Sequence, residues 1–339
     1  MLMVLGRTSV LLAVGCLFLP PSRLAVAESF PLPVRQSGDW VSGCDNKAVC
    51  TMVGTANATL ADAAMPNRQR LAIRITSDMS PIGETRIDIW RLPADPTGQA
   101  GTQQPVVLSF AGTDGSSGAK LPGDRLSFTN GKAMDWVVAL AEAKELRVSQ
   151  SDVVAPRSEG FPRAWSWLTQ RRAEAMRNAP VAATRRERLR PAHEVVSPAY
   201  PAVQLLDVIC PEGRRLSGHR QFMLPPGDAL LWAVTCNGPE GSSTHWFQSA
   251  PRFALATPLK LPDSHGDLID AGKDSLPDSV FDFDFGVLRA RHGPEGRTDC
   301  GVQRAWGWDG RGWFLLERRD MPACAGLEPT CWIRTYASP

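Results

Sequence analysis

The sequence predicts an α+β fold that is mainly β: two β-rich units of antiparallel sheets or sandwiches, the first covered by two helices, the whole stapled by disulfides. Three observations predict it. Short apolar runs alternate with turn residues through both halves, helical periodicity occurs in only two stretches, and seven cysteines remain once the first residues are set aside as a leader.

Taken in chain order, residues 1–27 read as a secretory signal. Met1 to Arg7 is a short basic start, Thr8 to Leu19 is apolar, and Ala25-Val26-Ala27 has the small-x-small form that signal peptidase requires. A rival reading makes Cys16, after Ala13-Val14-Gly15, the acylated first residue of a lipoprotein. The apolar run is shorter than the ~20 residues of a spanning helix, and no later stretch reaches that length without charge or proline, so no transmembrane segment is expected. The expectation is a periplasmic protein.

Residues 28–176 form the first unit. Leu71 to Ile75, Thr85 to Leu92 and Pro105 to Phe110 read as strands, with a glycine-serine loop at 112–118. Helical spacing appears at Met134 to Leu146, where Trp136, Val137, Leu140 and Ala141 share a face, and again at Pro162 to Met176, with Trp165, Leu168 and Ala175 inward. Both helices are expected on one sheet. Residues 177–203, rich in Ala, Arg and Pro, read as a linker unsuited to a hydrogen-bonded ladder.

In the second unit, 204–339, strands are expected at Val203 to Cys210, Ala229 to Cys236, Val280 to Arg289, Val302 to Trp308 and Trp313 to Glu317. The alternation Phe281-Asp282-Phe283-Asp284-Phe285 would put three phenylalanines on one strand face. Trp308-Asp309-Gly310-Arg311-Gly312-Trp313 is a hairpin turn by its chemistry, Asp-Gly supplying the positive φ of a tight turn.

In an oxidising compartment the cysteines should mostly pair. Nearest-neighbour pairing gives Cys44 with Cys50, Cys210 with Cys236, and Cys300 with Cys324. Cys331 is then left over: free, paired between molecules, or a replacement for Cys300 beside Cys324. No Cys-x-x-Cys and no close Cys/His spacing occurs, so neither a thioredoxin-like site nor zinc is expected.

Charge narrows the function classes. Of 37 basic residues Arg7 and Arg23 leave with the leader, so 35 face 35 acidic ones, and the mature chain lacks the basic excess of a nucleic-acid binder. The cluster Arg185, Arg186, Arg188, Arg190 reads as a solvated linker or helix end. Ser117-Gly118-Ala119-Lys120 has the Ser-x-x-Lys spacing of penicillin-recognising enzymes but lies in a glycine loop without partner motifs. Asp284-Phe285-Gly286 copies a kinase tripeptide inside a strand pattern. The acidic run Asp263, His265, Asp267, Asp270, Asp274 and Asp278 lacks the order of an EF-hand loop and reads as solvated. His193, His219, His245 and His292 are isolated in sequence.

Tryptophan is the unusual component, with eleven against two tyrosines, and Trp306, Trp308, Trp313 and Trp332 gather near the Cys300 and Cys324 end. These four read first as a core packed on that bridge and second as an aromatic platform for a glycan or partner protein.

The chain resembles the bacterial exported family grouped as domain of unknown function 1176. The residues that carry the resemblance are Trp40, Cys44-Asp45-Asn46 and Cys50, Leu168-Thr169-Gln170-Arg171, Leu231-Trp232 before Cys236, Asp299-Cys300-Gly301, Trp306-Gly307-Trp308-Asp309-Gly310, Phe314-Leu315, and Met321 to Gly326. The N-terminal block also resembles the opening of invasion-associated locus B proteins. Ala325, Gly238-Pro239-Glu240-Gly241 and Cys331 depart from the family pattern. The resemblance implies export to the cell envelope and carries over no catalytic residue.

Three function classes follow. The first is a non-enzymatic binding or envelope-maintenance protein, without cofactor, whose partner is an envelope protein or a glycan. The second is an envelope hydrolase using dispersed carboxylates such as Asp299 and Asp309. The third is a thiol-dependent partner or inhibitor acting through Cys331. Oligomeric state is left open by the sequence.

Overall fold

The computed structural model describes residues 34–56, 69–78, 84–92, 104–111, 118–178, 189–195, 210, 213–227, 229–239, 241–250, 256–264, 266–294 and 297–338. Residues 1–27, expected to be a leader, with Cys16, most of the 112–118 loop including Ser117, the segment 201–209, Arg185, Arg186, Arg188 and His265 lie outside those residues.

The N-terminal half begins with β1 (Arg35–Ser37), β2 (Trp40–Cys44), β3 (Cys50–Thr55), β4 (Gln69–Ser77), β5 (Thr85–Leu92), β6 (Val106–Ala111), β7 (Ala119–Leu121) and β8 (Arg125–Thr129). Then follow α1 (Asn130–Glu142), β9 (Glu145–Val148), β10 (Val153–Val154) and α2 (Phe161–Asn178). One sheet has the order β1-β2-β3-β4-β5-β8, with β10 parallel to the start of β4; a second is β7-β6-β9. Alternation along β4 and β5 sends Leu71, Ile73, Ile75, Ile87 and Ile89 to one face, and all five are buried. Against that face pack Val106, Leu108 and Phe110 of β6, Trp136, Val137 and Leu140 of α1, and Phe161 and Leu168 of α2. Both helices therefore cover one sheet.

The first helix lies earlier than its periodicity suggests. It runs Asn130–Glu142, and Leu146 belongs to β9, where pairing with Phe110 of β6 buries it. An apolar residue spaced for a helix face met an open strand edge, and the ladder took it.

The C-terminal half contains β11 (His193–Glu194), β12 (Arg215–Leu224), β13 (Ala229–Gly238), β14 (Gly241–Ser249), β15 (Thr257–Pro258), β16 (Lys260–Pro262) and β17 (Leu268–Asp270). It continues through β18 (Val280–Asp282), β19 (Val287–His292), β20 (Gly301–Trp308), β21 (Trp313–Met321) and β22 (Ile333–Ala337). Two five-stranded sheets, β11-β12-β13-β14-β15 and β18-β19-β20-β21-β22, share a core of Phe222, Leu231, Trp246, Phe281, Leu288, Trp306 and Trp308; β16-β17 is a separate hairpin. All the strand pairs of these sheets are antiparallel. The fold is mainly β, as the sequence implies.

Two local expectations need correction. The stretch 177–203 is not wholly unpaired, since His193 and Glu194 pair with Met223 and Phe222 of β12. Nor is Val280 to Arg289 one strand: it is a hairpin that turns at 283–286, with Gly286 at φ +65°. Phe281 is buried, Phe283 packs at the core margin and Phe285 is exposed, so the three rings do not share a face. The acidic residues between them favour a solvated turn over continued pairing.

The two halves meet through the chain end. Met321, Leu327, Trp332 and Ile333 pack on Val41, Val53, Ala72 and Leu92, on the face of the large sheet opposite its helices. Polar contacts fix the seam: Asn46 exchanges two hydrogen bonds with the Ala337 backbone, and Arg334 Nε donates to Asp45 at 2.7 Å. No described helix is long and apolar enough to cross a membrane.

Candidate functional site

The cysteines pair as Cys44–Cys50, Cys210–Cys236 and Cys300–Cys324, and Cys331 is unpaired and partly buried beside Trp332. Asp299, Cys300 and Cys324 come within metal-ligand distance of one another, but the two sulfurs are joined in a disulfide and offer no thiolate.

The four C-terminal tryptophans do not make a platform. Trp306, Trp308 and Trp332 are buried, and each indole N–H donates to a backbone carbonyl: Pro262 at 2.7 Å, Pro225 at 2.7 Å and Leu327 at 2.9 Å. Trp313, half-buried, donates to Gln248 Oε1 at 3.2 Å and lies 5.5 Å from Trp308. They also do not gather on the Cys300–Cys324 bridge: Trp306, Trp308 and Trp313 belong to the core between the C-terminal sheets, Trp332 to the seam with the N-terminal sheet. Alternation along β20 placed Trp306 and Trp308 on one face, and that face points inward.

The carboxylates proposed for hydrolysis are occupied in turns. Asp309 Oδ1 accepts from the backbone N–H of Arg311 and Gly312, closing the β20–β21 hairpin around Gly310 at φ +97°. Asp299 accepts from Arg297 and from Gly326 N–H; burial pushes its carboxyl up, but those bonds outweigh it and hold it below the usual range. A carboxyl held ionised is a poor general acid. Three members of the acidic run are likewise claimed by basic partners. Asp263 takes bidentate bonds from Arg304 at 3.1 and 3.0 Å with Arg318 close by, Asp270 pairs with Lys260, and Asp278 with Arg291. Lys120 lies in β7, and Ser117 is outside the described residues.

A Ser-x-His pair escaped the sequence reading although its spacing on β14 places both side chains on one strand face. Ser243 Oγ is 3.2 Å from His245 Nε2, and His245 Nδ1 is 3.0 Å from Gly272 O. The serine also accepts from Arg214 at 2.8 Å and donates to Cys236 O at 3.4 Å, so its hydroxyl is engaged by structural partners.

A concave feature lies in the N-terminal half. A groove of about 730 Å³ is walled by residues 144–159 apart from Ser149 and Asp152. One wall is β9. Ser149 N–H donates to Val107 O, and alternation along the antiparallel ladder then turns Arg147 toward β6 and the backbone groups of Leu146 and Val148 toward the other edge. Among the described residues no strand pairs with that edge.

The other wall is the segment Val153 to Glu159, held by three anchors. Val153 and Val154 pair with Gln69 and Arg70. Buried Asp39 accepts from the Arg157 backbone at 2.8 Å and from its guanidinium at 3.3 and 3.4 Å, which raises the Arg157 pKa further. Trp40 Nε1 donates to Arg157 O at 2.7 Å. Gly160 closes the segment: a Cβ there would sit 2.0 Å from Ser37 O, so only glycine lets the strands meet before α2 begins. The lining mixes Lys144, Glu145, Arg147 and Glu159 with Val148, Val154 and Pro156; it has the hydroxyls of Ser151 and Ser158 but no imidazole or thiol. Such a lining suits binding better than acyl transfer or redox chemistry.

Comparison with known proteins decides the lineage. Residues 168–339 match the family described as protein of unknown function (DUF1176). The chain belongs to that family. The match starts inside α2, so this DUF1176 chain carries its groove ahead of the matched region, and the resemblance of its N-terminal block to invasion-associated locus B proteins has no support from the match. No curated protein and no solved structure matches the chain.

Proposed function

We propose that this DUF1176 protein is an exported periplasmic binding protein that holds an extended segment of an envelope partner protein in the groove between β9 and residues 153–159. The observation that carries the reading is the unpaired edge of β9 inside a concave wall. An extended peptide gains backbone hydrogen bonds by adding itself as a strand there, and both signs of charge along the lining give its side chains partners. A glycan would leave the strand edge's alternating N–H and C=O groups without a repeating complement. Export is supported by the leader-like residues 1–27 and by three disulfides, which persist in oxidising compartments.

The test is selection of random peptides displayed on phage against the mature chain, followed by affinity measurement with Val148→Pro. Proline removes an N–H of the open edge and leaves the ladder to β6 intact, a position where edge strands tolerate it. Selected peptides should lose about two- to tenfold in affinity, the worth of the one backbone bond that the proline removes. Failure to select any peptide, or selected peptides indifferent to the folded proline variant, contradicts the reading.

A further inference from the structure

The face of the large sheet opposite its helices carries a charge arrangement that the groove does not use. On β5, Arg86, Asp88 and Trp90 stand two residues apart and share that face. Register sets Arg74 of β4 and Ser127 of β8 beside Asp88, and Ala72 and Arg125 beside Trp90. Three strands thus bring three guanidinium groups to one carboxylate.

Arg74 Nη2 donates to Asp88 Oδ2 at 3.0 Å. Arg86 Nε and Nη2 reach Oδ1 at 3.0 and 2.9 Å, Arg125 Nη2 reaches it at 3.3 Å, and the Ser127 hydroxyl donates to the same oxygen. One oxygen with two lone pairs is offered four donors, and one negative charge faces three positive ones. The Asp88 side chain is 1 % exposed and saturated, whereas those of Arg86 and Arg125 are 49 % and 52 % exposed. Arg74 Nε is buried without a partner. The guanidiniums of Arg74 and Arg125 lie 5.0 and 5.6 Å from the Trp90 ring centroid, which limits where they can swing.

Scattered surface arginines are solvated and need no ligand. These are different, because a buried carboxylate and an indole hold like charges together with donors to spare, an arrangement relieved by an incoming anion. The geometry points to an anion site at which Arg86 and Arg125, positioned by Asp88 and backed by Trp90, bind a phosphate group carried by a lipid headgroup or by a soluble phosphorylated compound. The planar, forked guanidinium matches phosphate oxygens in pairs, and a net charge of about two at the site favours a doubly charged group.

The probes are inorganic pyrophosphate, titrated by calorimetry at two salt concentrations, and vesicles of phosphatidylcholine with or without phosphatidic acid, whose monoester phosphate can carry two charges, assayed by sedimentation. Wild-type protein should bind pyrophosphate more weakly as salt rises. Arg86→Gln with Arg125→Gln should weaken binding at least about tenfold, while Arg220→Gln, in a separate surface pair with Glu194, should not. Arg125→Gln alone, which gives up one 3.3 Å bond to Asp88, carries the test should the double variant fail to fold. Sedimentation with the anionic vesicles, displaced by pyrophosphate, assigns the phosphate to a headgroup; pyrophosphate binding without sedimentation assigns it to a soluble compound. Wild-type protein that binds neither probe, or a folded arginine variant that binds as wild type does, overturns the site.

Discussion

The two halves of the molecule differ in how fully their charged groups are matched, the buried side-chain nitrogens without a partner among the described residues all lying in the N-terminal half. In the C-terminal half, charged side chains are matched: Asp263 with Arg304 and Arg318, Asp320 with Arg318, Asp299 with Arg297. Its indole N–H groups at Trp306, Trp308 and Trp332 end on backbone carbonyls inside the core. The N-terminal half instead carries an excess of guanidinium around Asp88, and it sets one of its open strand edges, β9, in a concave wall at 144–159. Unmet bonding capacity is what a partner can satisfy. The difference teaches that the C-terminal motifs which identify the family are structural devices, while both of the proposed recognition sites lie in the N-terminal half.

The contrast is broken most severely by Trp306→Ala. Removing a buried indole and its bond to Pro262 should cost about 3–5 kcal/mol in urea unfolding while leaving ligand affinity unchanged wherever the protein is folded. Asp88→Asn comes next, at about 3 kcal/mol, because three guanidiniums lose their one counter-charge. Its pH signature is specific. Burial raises the Asp88 carboxyl, but bonds from Ser127, Arg86 and Arg74 outweigh it and bring the pKa from 3.8 to about 2. A depressed folded-state pKa stabilises above the unfolded value, so this contribution is whole above about pH 4 and is lost as pH falls through about 2; the Asn variant should lack that step.

Arg304→Gln should cost about 2 kcal/mol, since it strips a bidentate partner from the largely buried Asp263. Arg86→Gln sharpens the comparison from the other side. Its half-exposed side chain should contribute less than about 1 kcal/mol to stability, so any large loss of pyrophosphate binding is a loss of recognition and not of fold. Equal stability losses at Arg304 and Arg86 would erase the distinction between the halves.

Much of the fold could be read from periodicity and cysteine economy. The strand Thr85–Leu92, the second helix, the 308–313 hairpin and all three nearest-neighbour disulfides were legible because each depends on local spacing. Leu146 departs from its helical spacing because a free edge set by distant chain outweighs the local pattern, and the Phe281–Phe285 run departs from its alternation because a local turn at 283–286 breaks it. The groove was not legible at all. It arises where β9 and residues 153–159 are pinned by Asp39 and Trp40, more than a hundred residues away in the chain. The arginine grid was half legible: Arg86, Asp88 and Trp90 alternate in plain view on β5, but Arg74 and Arg125 join them only through register. The tryptophans drew attention by their number, yet number alone does not tell an inward strand face from an outward one.

The most direct measurement is hydrogen exchange at the Leu146 and Val148 amides of residues 28–339, with and without a selected peptide bound. Strand addition predicts that both amides, open in the free protein, become protected in the complex, and that Arg147, already laddered to β6, changes little. Saturating peptide that leaves Leu146 and Val148 exchanging at their free rates would contradict the account.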